Sequence, residues 1–144
     1  MLLRSTSFFV LYNMKEICVI CMLLFFVSCN TEKKEIREVA YEYSIAAAHY
    51  DVKKAGLYCT DETKETTLRV AETLLGLVDS AYIASDYPAK IEITKIKVIS
   101  DTVATVRYHK TTPIKDFTDT LELRKRDGKW LAHSPIVKNN AAAQ

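Results

Sequence analysis

Ile91-Glu92-Ile93-Thr94-Lys95-Ile96-Lys97-Val98 places an apolar side chain at every second residue, the period of a strand with one dry face, and then shifts its parity. Ile91 and Ile93 keep one phase and Ile96 and Val98 the other, so an extra residue near Thr94-Lys95 predicts a β-bulge that bends the strand. The two-fold period continues downstream. Ser100-Asp101-Thr102 predicts a turn into Val103 to Lys110, where Ala104, Val106 and Tyr108 face one way and Thr105, Arg107 and His109 the other. Phe117 to Arg126 sets Leu121 and Leu123 against Glu122, Arg124 and Arg126, and Asp127-Gly128 is a strong hairpin signal into Lys129 to Ile136.

Upstream of Pro88 the period is helical. Ile36, Val39, Ala40, Tyr43, Ala46, Ala47 and Tyr50 recur at steps of three and four from about Glu35, with Glu35, Arg37, Glu38, Glu42 and His49 on the opposite side. Asp51 is placed to cap a short second helix, Val52 to Tyr58, which Gly56 weakens before Thr60-Asp61 opens a turn. A third helix is predicted from about Thr66 to Ala84, with Leu68, Ala71, Leu74, Leu75, Val78 and Tyr82 on its stripe and Glu72, Asp79 and Asp86 on its wet side. The order predicts an α+β fold of three N-terminal helices on a curved, four-stranded antiparallel sheet.

The first thirty residues have a different character. Met14-Lys15 supplies a charged start better than Met1 does, and Ile17 to Val27 supplies an apolar run before Ser28-Cys29-Asn30. As a helix that run rises only about 17 Å, short of the roughly 30 Å of a hydrocarbon core. Joining it to Phe8 through Tyr12 would place Asn13, Lys15 and Glu16 near the middle of a span. Phe26-Val27-Ser28-Cys29 resembles the lipobox of bacterial lipoproteins. The resemblance implies a diacylglycerylated Cys29 thiol, cleavage before it and an acylated amine, and three such chains hold a protein at a membrane essentially permanently. Residues 1–28 are thus read as a signal peptide, 29–34 as lipidated cysteine and tether, 35–137 as one domain, and 138–144 as a flexible tail. The expected location is the cell envelope, at the outer membrane by analogy with sorting rules that read the residue after the cysteine, here Asn30.

The length from Cys29 onward suits one domain with a real core. Cys18 and Cys21 leave with the signal and Cys29 is acylated, which isolates Cys59 and leaves no internal disulfide to form. Between Asn30 and Gln144 there are 18 basic and 17 acidic residues, unevenly spread: 7 and 11 up to Tyr87, then 11 and 6. Near-neutrality and an envelope location disfavour nucleic acid as a partner.

Two strings, Ile93 through Val106 and Leu121-Glu122-Leu123-Arg124-Lys125-Arg126-Asp127-Gly128-Lys129-Trp130-Leu131, together with Asp51 and Ala55 in a D-x-x-x-A spacing, resemble small envelope lipoproteins with a nuclear-transport-factor-2-like domain of unknown function. The resemblance implies a curved sheet wrapped around the helices as a cone and covers nearly all of Glu35 to Ile136. Its motifs are structural.

The same cone hosts ketosteroid isomerase-like and SnoaL-like enzymes, which need a carboxylate inside an apolar pocket. The parity puts Ile91, Ile93, Ala104, Val106, Tyr108, Leu121 and Leu123 inside and Glu92 and Glu122 outside, which predicts no inward carboxylate. His49, His109 and His133 show no metal-ligand spacing, and no G-x-S-x-G, Walker or C-x-x-C pattern is present, so neither metal nor cofactor is expected. Two binding surfaces remain. Tyr43, Tyr50, Tyr82 and Tyr108 are the expected lining of a pocket for a small apolar ligand. Arg107, Lys110, Arg124 and Arg126, with His109, are the expected outer strand row that would meet anionic lipid, a phosphate-bearing glycan or an acidic protein. The function expected is that of a membrane-anchored lipoprotein with a non-catalytic domain binding a ligand or an envelope protein. Its rivals are a pocket isomerase, cyclase or hydratase, and an accessory or inhibitor subunit of an envelope complex.

Overall fold

The computed structural model describes residues 31–135. The compact unit that begins at Glu35 carries the architecture below. Cys29, the signal segment and the tail from 138 lie outside the described residues.

Helical residues run over 31–48 (α1). Residues 31–34, expected in the tether, are already helical, as the strong helix formers Glu32, Lys33 and Lys34 favour. Ile36, Ala40, Tyr43 and Ala46 are buried along one stripe of α1. The helix gives way to Tyr50, whose φ of 60° lies in the left-handed region where helices commonly end. The Asp51 carboxylate then accepts from the Lys54 N–H at 2.9 Å and caps α2, Val52–Ala55.

The helix expected at Thr66 begins earlier, because the Thr60 hydroxyl accepts from the Thr63 N–H and caps α3, Asp61–Thr63. A π-helical turn, Lys64–Leu68, and α4, Arg69–Leu75, continue it. It also ends earlier than the stripe predicts. Gly76 closes α4, and the Asp79 side chain accepts from the Ala81 N–H at 2.8 Å to start a separate α5, Ser80–Ser85. The apolar period therefore outlasts the helix, and Leu74, Val78 and Tyr82 are exposed.

Four strands follow, β1 Lys90–Ser100, β2 Val103–Thr111, β3 Asp116–Arg126 and β4 Lys129–His133, antiparallel and adjacent in chain order. Ile93 faces Tyr108 and Lys95 faces Arg107, so the extra residue of the anticipated bulge is Thr94, whose hydroxyl donates to the Arg107 carbonyl at 3.1 Å. A second irregularity, between Val98 and Ser100, was not legible in the pattern. Asp127 and Gly128, both at positive φ, form the β3–β4 turn. On the far side of β4, residues 58–60 lie alongside it: the Thr60 N–H donates to the Ala132 carbonyl at 2.9 Å and the Ala132 N–H to the Tyr58 carbonyl at 2.8 Å.

The core lies between the α1 stripe and the inner faces of β2, β3 and β4, where Ala104, Val106, Leu121, Leu123, Trp130 and Ala132 are buried. Ala40, Ala104 and Ala132, all fully covered, let the layers approach closely. Cys59 is 2 % exposed within this core, and burial pushes its thiol up. We expect peptide-resolved alkylation at pH 8 to leave Cys59 unmodified in the folded chain and to label it fully in urea, because only the thiolate of an accessible cysteine reacts. Rapid labelling of the folded chain would contradict this burial.

Candidate functional site

Strand alternation carries the apolar inner face into a polar end. Val106 is opposite Leu121, Tyr108 opposite Asp119, and Lys110 opposite Phe117, so Tyr108, Lys110 and Asp119 share the face that bears the core. The Tyr108 hydroxyl donates to Asp119 Oδ2 at 3.3 Å. From α1, Tyr43 packs in the core, and the buried Ser44 hydroxyl lies beside that of Tyr108. Ser44 Oγ makes no hydrogen bond of ordinary geometry among the described residues. Burial pushes the phenols of Tyr43 and Tyr108 up to about 12, and the Asp119 carboxylate adds to the rise at Tyr108. Both are therefore neutral donors at physiological pH. A buried hydroxyl without a well-formed bond, lying next to a phenol, marks a place where a ligand's polar atoms can be met.

A second polar group sits where the helical half meets β2. Asp86, at the end of α5, is 9 % exposed. Its Oδ2 accepts from the Tyr50 hydroxyl at 2.9 Å and lies 3.6 Å from Lys110 Nζ. The Thr112 hydroxyl first, and then the Tyr50 hydroxyl and the Lys110 ammonium, outweigh burial and hold the Asp86 carboxyl below the ordinary carboxylate range. Burial and the Asp86 partnership raise the Tyr50 phenol to about 12. Beside them, His49 Nε2 accepts from the Ala89 N–H at 3.2 Å and its ring packs on Tyr87 with centroids 4.6 Å apart.

The four tyrosines expected to line a pocket fall into two pairs, Tyr43 near Tyr108 and Tyr50 near Tyr82. Tyr43 and Tyr108 share the inner face, Tyr50 is tied to Asp86, and Tyr82 is 60 % exposed on α5. Of the expected outer basic row, Arg107, Arg124 and Arg126 do alternate away from the core, and Arg124 Nε donates to Glu122 at 2.7 Å. Lys110 has the opposite parity and turns inward to Asp86, a correction that follows from its even spacing with Val106 and Tyr108. The absence of an inward carboxylate is corrected too. Asp119 lies two residues before inward Leu121, and Asp86 reaches the interior from a loop that strand parity does not govern.

Among the described residues no three of His, Cys, Asp and Glu converge as a metal site requires. His109 pairs with Asp116 at 2.6 Å. His133 is buried against the Thr60 hydroxyl at 3.1 Å, and its burial, helped by Arg124, pushes its pKa down so that it is neutral in the fold.

Residues 31–134 match the model of a family described as "Putative lumazine-binding". No curated protein and no solved structure matches the chain.

Proposed function

The chain belongs to this nuclear-transport-factor-2-like family over residues 31–134, and from that premise we propose a membrane-tethered binding protein that takes a small, flat heteroaromatic ligand at the polar end of its inner sheet face. The buried Ser44 hydroxyl beside that of Tyr108, which itself is bonded to Asp119, carries this reading. Half-buried Ile93, Tyr108 and Phe117 supply apolar surface there, and the hydroxyls and carboxylate supply a few directed polar contacts, the usual balance of a small-molecule site. The family's description names lumazine, a bicyclic pteridine whose carbonyls and ring nitrogens suit such a set of groups.

A binding role is favoured over a catalytic one by Asp86. A carboxyl serving as general acid at neutral pH needs a raised pKa and one serving as base needs a free oxygen, whereas Asp86 is shifted downward and its oxygens are engaged. No helix among the described residues is long and apolar enough to cross a membrane. In this reading attachment comes from acylation of Cys29, and the location is the cell envelope, at the outer membrane.

The experiment is a titration of 6,7-dimethyl-8-ribityllumazine with the full chain in zwitterionic nanodiscs, read by fluorescence anisotropy. Saturable binding is expected, weakened about fivefold or more by Ser44→Ala and by Tyr108→Phe, each of which removes one hydrogen bond worth about 1 kcal/mol. No saturable binding, or binding indifferent to both substitutions, retires the reading. In parallel, alkynyl palmitate should label the wild-type chain and not Cys29→Ser, which should leave the membrane fraction.

A further inference from the structure

A concavity lies on the helical side, and none of its lining residues belongs to the sheet. It is an open groove of about 350 Å³ between α2 with its following turn and the wall made by the π turn and α4. Its floor is apolar, formed by Val52, Gly56 and Leu68, with Leu57 projecting at the rim, 75 % exposed. Gly56 keeps the floor open: a Cβ there would lie 3.3 Å from the Lys53 carbonyl, 3.4 Å from that of Val52 and 3.7 Å from Leu68 Cδ1, so a larger side chain would occupy the groove.

The walls carry three cations, Lys53, Lys64 and Arg69, against one carboxylate, Glu72. The π turn is what assembles them. The Arg69 N–H bonds to the Lys64 carbonyl five residues back, which stacks Arg69 above Lys64, whereas an α-turn would rotate the two apart. Such single π turns carry a cost relative to α-helix and are frequent at functional sites. Their present partners are weak competitors. Lys64 pairs with Asp61 at 3.0 Å and Arg69 with Glu65, all exposed side chains one turn away on the same helix, and such pairs contribute little. Among the described residues Lys53 has no carboxylate partner.

We propose that this groove is a binding site for a free amphipathic organic anion, its acid group held by Lys53, Lys64 and Arg69 and its apolar body laid over Val52, Gly56 and Leu68. Charge sign and the apolar floor together select the class: a cation meets three like charges, and a purely polar anion leaves the floor wet. The site is independent of the lumazine reading, since it shares no residue with the inner sheet face.

The test uses 4-(4-fluorophenyl)butyrate with the full chain in zwitterionic nanodiscs, followed by ¹⁹F NMR line broadening against empty nanodiscs. Saturable binding is expected, about tenfold tighter than that of the matching alcohol and amine, and about tenfold weakened in Lys64→Gln/Arg69→Gln, because charge-assisted hydrogen bonds are lost. Gly56→Leu, which fills the groove, should abolish it while circular dichroism and the thermal melt stay as in wild type. The two glutamine substitutions lie on exposed side chains and leave the fold intact, which circular dichroism verifies. Equal binding of acid, alcohol and amine, no saturable binding, retention in both variants, or a signal seen only with vesicles containing anionic phospholipid would each overturn the proposal.

Discussion

Trp130→Ala should lower the unfolding free energy by about 3–5 kcal/mol in urea or thermal melts, the largest single-residue effect expected in this protein. Trp130 is the largest of the fully covered side chains, 1 % exposed in the core formed by α1 and the inner strand faces. Removing it leaves a cavity that the fully buried neighbours Leu123 and Ala132, fixed in the strand ladder, cannot collapse into. Small domains have a stability of roughly 5–15 kcal/mol, so the variant should be partly unfolded near physiological temperature. Trp130→Phe should behave very differently. Among the described residues the indole N–H has no acceptor although it is buried, and deleting such an orphan returns about 1–3 kcal/mol against the volume lost. The phenylalanine variant is therefore expected within about 1–2 kcal/mol of wild type. A phenylalanine variant as unstable as the alanine variant would show that the indole N–H is satisfied after all.

Asp86→Ala should cost about 2–3 kcal/mol, more than an exposed ion pair and less than a fully buried one. The substitution strands two partners at once, the Tyr50 hydroxyl and a Lys110 ammonium whose side chain is only 16 % exposed. It also frees the segment between α5 and β1, which these bonds tie to β2. The pH dependence has a definite sign. Because the folded carboxyl sits below its ordinary value, the unfolded chain binds the proton more readily, so this contribution is complete above the unfolded carboxylate pKa and is lost as pH falls below about 4. His133 acts in the same direction at milder acidity, since a histidine pushed down in the fold takes up its proton on unfolding. Urea melts between pH 7 and pH 3 should show stability falling in two stages, the lower stage absent from Asp86→Asn. A variant that keeps the full acid slope would remove Asp86 from this role.

The strand half of the molecule was legible because its signals are local. The parity change across Thr94 and the Asp127-Gly128 turn each rest on neighbouring residues, and both appear in the structure. The helical half was legible in type and misplaced in extent. Leu74, Val78 and Tyr82 continue a helical period that the chain does not use for burial, because Gly76 and the Asp79 cap interrupt it first. A glycine followed three residues later by Asp-Ser was the available sign. The π turn had no such sign. Lys110 and Asp119 needed only the parity rule carried two residues beyond Tyr108 and before Leu121, whereas the Asp86 cluster joins Tyr50, Asp86 and Lys110 across 36 and 24 positions of chain, a proximity set by tertiary packing. The groove at Gly56 was invisible for the same reason, since its two walls belong to different helices.

The strip at residues 58–60 makes the sheet one-sided. With β4 covered at Ala132, the open sheet edge is β1, which carries Lys90, Lys95 and Lys97, two register breaks and an Arg37 contact to the Ile93 carbonyl at 3.5 Å. Runaway polymerisation through strand addition requires a donor row and an acceptor row on every molecule. A chain with a single available row can zip to one neighbour and then stops, so accidental pairing of this kind would terminate at two copies.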